Sequence, residues 1–309
     1  MSTAAAELPA GWWACPSTSA DYPTLLTTIH EPPDLAVRGE IHAGAEMVAI
    51  VGARRSSAYG EEVAYEIARH LASVGLTIVS GMARGIDAAA HRGAIDAGGR
   101  TVAVMGTGPD SVYPPEHRGL ADRIASSGAL LTQFPVGMVP RKGNFPTRNA
   151  VISGMSLAVV VVEARRQSGA MLTAGAAGNQ GRMVMAVPGS VHNAASRGCH
   201  DLIRDGAQLV ASAQDILADL RGEPMLRLLD QPAEVEARFG DVRDRVLAAL
   251  RAGCLTLDEL VAAVSGPSAE VVTAVARLRL EQEIRLRDGA YGLAVERTVR
   301  NRAAPNRVV

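Results

Sequence analysis

Lysine is almost missing from this chain: Lys142 is the only one among 31 basic side chains. Aromatic residues are scarce, at 3%, with three phenylalanines and two tryptophans in 309 residues. Cysteine is rarer still, and Cys15, Cys199 and Cys254 lie far apart and odd in number. That argues against a disulfide framework or a zinc site and for a reducing compartment. The longest strongly apolar run, Leu157–Val162, is far too short to span a bilayer. The N-terminus lacks a basic region followed by an apolar core, so no signal peptide is recognised and the cytoplasm is the expected location. The formal net charge is -1, so no global basicity advertises nucleic acid and any such signal must be local. G-x-S-x-G, H-E-x-x-H and Walker A signatures are absent, as are carboxylate pairs with a convincing partner. A covalent or metal-dependent enzyme therefore has little support, and no cofactor is expected.

What is present centres on Met47–Gly60, MVAIVGARRSSAYG. The apolar run Met47–Val51 has the β-branched bias of a buried parallel strand. It breaks at Gly52, and after Gly60 the residues Val63, Ala64, Ile67, Ala68 and Leu71 recur at helical spacing. A strand feeding through a glycine turn into a helix N-terminus is the phosphate-site geometry of doubly wound α/β folds. The dinucleotide fingerprint needs a second glycine two positions on, and that position is Arg54. The turn is suited to phosphate and not to NAD.

From Met47 to about Leu220, strand-like and helix-like segments alternate, which predicts a Rossmann-like, mostly parallel sheet covered on both faces. Strands are expected at 48–52, 76–80, 101–105, 129–132, 157–162, 182–187 and 208–210. Helices are expected at 60–73, 86–97, 116–126, 148–155, 172–180 and 196–205. Residues 1–45 read as an irregular lead-in anchored by Trp12, Trp13 and Tyr22, and residues 46–220 as the main domain. Residues 221–240 read as a linker. Three helices and a hairpin turning at Asp288-Gly289 then outline a small C-terminal winged-helix domain over 241–295. Residues 296–309, with four arginines and one acid at their start, read as a basic disordered tail.

Charge is distributed unevenly. Between Asp122 and Asp201 stand eight basic residues (Arg123, Arg141, Lys142, Arg148, Arg165, Arg166, Arg182 and Arg197) against the single acid Glu163. A solvated surface is the plain explanation. Several of these residues nevertheless fall at the expected carboxyl edge of the sheet, where ligands of such folds bind. The long connection Gln133–Thr147 sets Arg141 and Lys142 close to Phe134 and Phe145, although a buried plug is the simpler role for Phe134. A cation beside a ring is the minimal equipment for single-stranded nucleic acid. Ser80, Gly81, Arg84 and Gly85 form a second glycine-rich loop, and Ser168-Gly169 precede another helix. Asp87 and His91, four apart on one helix face, read as a helix-start charge and a satisfied core histidine, for want of a third ligand.

The series IVGARRSSAYG (50–60), SGMARGIDAAAH (80–91), YPPEH (113–117), FPTRNAVISGMS (145–156), VVEARRQSGAMLTAGAA (161–177) and VPGSVHNAASRG (187–198) resembles the DNA processing protein A (DprA/Smf) family over residues 21–220. The C-terminal segment resembles the winged-helix domain that many members carry. The sterile-alpha-motif-like domain often found ahead of the core is missing or trimmed by this comparison. The resemblance implies a homodimer that binds single-stranded DNA in natural transformation and loads the recombinase RecA onto it. Carried over, the family's G-S/A-R turn falls on Gly52-Ala53-Arg54 and its basic-plus-aromatic loop on Lys142 and Phe145. Its F-P-x-R-N-R signature falls on Phe145, Pro146, Arg148 and Asn149, with Ala150 in place of the last arginine. Thr132-Gln133 replaces a usual Ser-Glu. The candidate DNA-binding set is Gly52, Arg54, Arg55, Ser80, Gly81, Arg84, Arg141, Lys142, Phe145, Arg148, Asn149, Ser168 and Gly169.

Two rivals remain at this level. One is a Rossmann-fold nucleotide-processing hydrolase of the lysine-decarboxylase-like group, whose P-G-G-x-G-T signature is absent; the nearest stretch is Val187-Pro188-Gly189-Ser190. The other is a winged-helix regulator reading duplex DNA. Its recognition helix would carry mixed charge (Glu270, Arg277, Arg279, Glu281), which disfavours strong major-groove binding.

Overall fold

A computed structural model describes residues 7–221, 233–264, 268–280, 283–287 and 289–293. The chain divides into two compact units, Met1–Arg227 and Leu228–Val309. The first unit holds β1 (Trp12–Cys15), β2 (Leu35–Gly39), β3 (Met47–Val51), α1 (Ala58–Ser73), β4 (Thr77–Ser80), α2 (Ile86–Asp96), β5 (Thr101–Val104), α3 (Arg118–Ser127) and β6 (Ala129–Thr132). It continues with α4 (Asn144–Gly154), β7 (Ala158–Val161), α5 (Gly169–Asn179), β8 (Met183–Ala186), α6 (Arg197–Arg204), β9 (Gln208–Leu209) and α7 (Ala213–Arg221).

The strands form one sheet in the order β1-β2-β6-β5-β4-β3-β7-β8-β9. The seven from β6 to β9 are parallel, and β1 and β2 add two antiparallel strands outside β6. The chain runs outward from β3 through β4, β5 and β6, then returns to β7 on the other side of β3. A topological switch point therefore lies between β3 and β7, where doubly wound sheets bind their ligands.

The two-residue period of β3 divides the core. Met47, Ala49 and Val51 face one layer with α4, α5 and α6, while Val48 and Ile50 face the other with α1, α2 and α7. Both faces of β3 are buried, which is why the strand reads as a continuous apolar run. Each fully buried aliphatic side chain, such as Ile50, Leu71 or Ile78, contributes roughly 1.5–3 kcal/mol.

The lead-in is more ordered than its prolines suggest. Trp13 Nε1 donates to the Gly39 carbonyl at 3.1 Å, Tyr22 is buried with its hydroxyl on the Pro33 carbonyl at 2.7 Å, and Leu26 enters the core. Prolines here flank four- and five-residue strands without interrupting them. Arg182 fastens this segment from the far side, donating to the carbonyls of Leu25 and Gly154 and to the Thr28 hydroxyl.

Helix starts move earlier than expected. α4 begins at Asn144, so Phe145 and Pro146 lie in its first turn, where proline is tolerated because its missing N–H has no partner to lose. The loop is correspondingly shorter. α5 begins at Gly169, and α1 at Ala58 behind the Ser57 cap.

The second unit holds α8 (Ala233–Ala252), α9 (Leu257–Ala263), α10 (Ser268–Leu280) and the antiparallel pair β10 (Ile284–Arg287) and β11 (Ala290–Leu293). Val246, Leu250, Leu260, Val271, Val275, Leu278 and Ile284 form its core. Thr256 caps α9 in a reciprocal box with Glu259. α8 starts inside the expected linker, whose residues 222–232 lie outside the described ones. So do Asp288 and the expected basic tail, residues 296–309.

Candidate functional site

A cleft of about 360 Å³ opens at the switch point, above the carboxyl ends of β3 and β7. Its walls include Gly52, Arg54 and Arg55 from the β3–α1 turn, and Phe145, Arg148 and Asn149 from α4. Arg165, Ser168, Gly169, Leu172 and Thr173 close it from the β7–α5 side.

The four helix N-termini around this edge are not equivalent. The β3–α1 turn has phosphate-site geometry, yet a carboxylate already fills its seat. Glu163, buried at the end of β7, accepts the Ser57 N–H at 2.9 Å and the Ser57 hydroxyl at 2.6 Å. A Cβ at Gly60 would run into that carboxyl group, so this glycine makes room for Glu163 and not for a ligand. The expectation of a free anion site at this turn is corrected accordingly. α2 likewise carries Asp87 in its first turn. α4 and α5 have no acid in their first turns, and the Ser168 hydroxyl ahead of α5 is buried without a hydrogen-bond partner. Two positive helix ends are thus neutralised and two are left open to an anion.

Arg54 lies over the Phe145 ring, its guanidinium carbon 4.7 Å from the centroid. Arg148, only 5% exposed, stands 5.9 Å from the same centroid. Arg148 donates to the Val104 carbonyl at 2.7 Å and to Asn149 Oδ1 at 3.1 Å. Asn149 in turn donates to the Gly169 carbonyl, joining α4 to α5. Burial raises the Asp87 carboxyl above its ordinary value, and the nearby Arg148 guanidinium opposes that shift. His91 sits between the Gly81 carbonyl and the Thr101 hydroxyl, both at 2.7 Å. A carbonyl only accepts, so Nε2 carries a proton, while Nδ1 faces the Thr101 hydroxyl, which itself donates to the Ile78 carbonyl at 2.9 Å. Desolvation pushes the His91 pKa down to about 4.

The expected site residues divide into four groups. Gly52, Arg54, Arg55, Phe145, Arg148, Asn149, Ser168 and Gly169 meet at the cleft. Arg141 and Lys142 stand exposed on the loop that enters α4 and pair with no acid among the described residues. Ser80 and Gly81 serve the scaffold. The Ser80 hydroxyl is buried on the Ile50 carbonyl at 2.6 Å, and the space beside Gly81 is filled by Arg148 and Asp87. Arg84 lies at the edge with its charge balanced by Glu116. Gly85 is required where it stands, with φ 75° and its Cα facing the Ala53 carbonyl.

The basic interval also proves mixed. Arg123 pairs with Asp96, Arg166 pairs with Asp201, and Arg182 holds carbonyls. Sequence reasoning missed Arg165 as a cleft residue, and it missed the ties that hold the basic loop. Asn144 Nδ2 donates to the carbonyls of Gly106 and Val139, and Asp110 Oδ1 accepts the Gly137 N–H. Only a polar residue just before an aromatic helix start hinted at the Asn144 tie.

Comparison with known proteins agrees with the motifs. The family model described as DNA recombination-mediator protein A matches residues 14–221. Protein Smf of Synechocystis is 41% identical over 227 residues, covering 72% of this chain and 56% of that protein; the chain thus spans little more than half of this relative's length. The X-ray structure of DNA processing protein A from Streptococcus pneumoniae superposes with a TM-score of 0.64 at 38% identity, covering 68% of this chain and 74% of that one. DNA processing protein A from Helicobacter pylori, whose single-stranded DNA binding mode has been described structurally, superposes with a TM-score of 0.61 at 26% identity. That match covers 69% of this chain and 96% of the other. On this fold, these motifs and these matches, the chain belongs to the DNA recombination-mediator protein A family, known in its curated members as DprA or Smf.

Proposed function

We propose that this protein binds single-stranded DNA in the switch-point cleft. The observation that carries the reading is the Arg54–Phe145 stack. It presents a flat cationic platform, bounded by the acid-free N-termini of α4 and α5. An unstacked base lies on such a platform, and stacking of this kind is worth about 1–3 kcal/mol per base. Phosphates are held by Arg54, Arg55 and Arg165, with Arg141 and Lys142 extending the track along the loop before α4. A stability-driven sequence would place acids before that helix, because cations at a helix N-terminus are unfavourable unless an anion joins them.

Family membership supports the remaining assignments: a recombination mediator that hands single-stranded DNA to a RecA-type recombinase, works as a homodimer, and acts in the cytoplasm. No helix among the described residues is long and apolar enough to cross a membrane. Binding is expected to be tolerant of sequence and steep in salt. Arg54→Ala and Lys142→Ala should each weaken binding to every oligonucleotide and flatten the log–log salt slope by about 0.7 per lost phosphate contact. An unchanged slope in both variants would sink the cleft as the phosphate track.

A further inference from the structure

We infer that Tyr113 supplies a second base-stacking surface beside Phe145, an inference that rests on the single-stranded DNA reading above. Phe145 is half-buried and offers limited free ring area. Arg54 covers the ring, and its edge lies about 3.0 Å from the position a Cβ at Gly106 would occupy. Tyr113, on the loop after β5, is 41% exposed, and its hydroxyl has no hydrogen-bond partner among the described residues. Its centroid is 6.5 Å from that of Phe145, with the ring planes inclined at 47°. That inclination rules out one base sandwiched between the two rings, so successive bases splay, one to each ring. The hollow beside Tyr113, about 30 Å³ and bordered by Arg54, Arg84, Phe145 and Arg148, is too small to enclose a base, so the second base lies on the exposed Tyr113 ring.

Charge assigns the two roles. Arg84 at this hollow is neutralised by Glu116, whereas Arg54 and Arg55 make no ion pair among the described residues. Arg54 borders both this hollow and the cleft, so phosphates follow Arg54 and Arg55 along the cleft while the uncharged Tyr113 ring takes a base. The ring is carried by a fixed loop. Thr107 Oγ1 donates to the Ser111 carbonyl at 2.5 Å, the Gly108 N–H to the Met138 carbonyl at 2.9 Å, and His117 Nδ1 lies 3.0 Å from the Met82 carbonyl. A pre-set ring loses little entropy on binding.

The test uses wild-type full-length protein photocrosslinked to a single-stranded oligonucleotide carrying 5-iodouracil, with sites mapped by mass spectrometry. Adducts at both Phe145 and Tyr113 are expected. Adducts at Phe145 without Tyr113 would overturn the second surface and leave the cleft standing; adducts at neither would remove the cleft reading itself. In titrations, Tyr113→Leu should weaken single-strand binding about tenfold with an unchanged salt slope, because a base contact is lost and no phosphate contact is. Tyr113→Phe should bind as wild type. Wild-type affinity in Tyr113→Leu would count against the inference.

Discussion

His91 is fully buried between the Thr101 hydroxyl and the Gly81 carbonyl, and it holds the loop behind Arg148. Its folded pKa of about 4 lies below the ordinary 6.5. As pH falls, the unfolded chain takes up the proton first. The stabilisation is complete above about pH 6.5 and is lost as pH approaches 4, amounting to about 3 kcal/mol. Asp87 works in the opposite sense, because its raised pKa favours the folded state at low pH and that contribution fades as pH rises. Comparing wild type with His91→Gln separates the two. The stability difference in urea titrations should shrink by about 3 kcal/mol between pH 7 and pH 4. A difference constant with pH would mean that His91 is not the buried neutral group described here. The histidine's structural role was legible from its sequence, since no third ligand accompanied it. Glu163 was not legible: its partner Ser57 lies 106 positions away, and a lone acid in a basic stretch reads as an exception rather than as the occupant of an anion seat.

At the scale of elements, Asn144 decides how firmly the basic loop is held. Asn144→Ala would leave the Gly106 and Val139 carbonyls without this donor and release the segment carrying Arg141 and Lys142. Single-strand affinity should fall severalfold while the salt slope stays the same, because every cation remains. A steep change of slope would instead show that the loop charges had moved off the track. The parallel core was readable because β3 and β7 are continuous apolar runs. The start of α4 was not, because Pro146 reads as a breaker until it is seen in a first helical turn. β1 and β2 escaped for a related reason. They are short, lie among prolines, and owe their order to β6 and to Arg182 across the chain, neither of which leaves a local pattern.

For the whole molecule, the arrangement is one of local charge in a chain with a net charge of -1. Among the described residues, Arg54, Arg55 and Arg165 at the switch point and Arg141 and Lys142 on its flanking loop make no ion pair, whereas Arg69, Arg92, Arg123 and Arg166 pair with acids elsewhere. Such a molecule should not bind nucleic acid through bulk attraction. It should bind where phosphates and an unstacked base meet Arg54 and Phe145 together, which a paired duplex cannot offer. The most direct measurement is a titration of the full-length protein with a single-stranded oligonucleotide and with its duplex, each at two salt concentrations. Tighter binding to the single strand at both concentrations, weakening steeply with salt, is the expected result; equal or tighter binding to the duplex would contradict it.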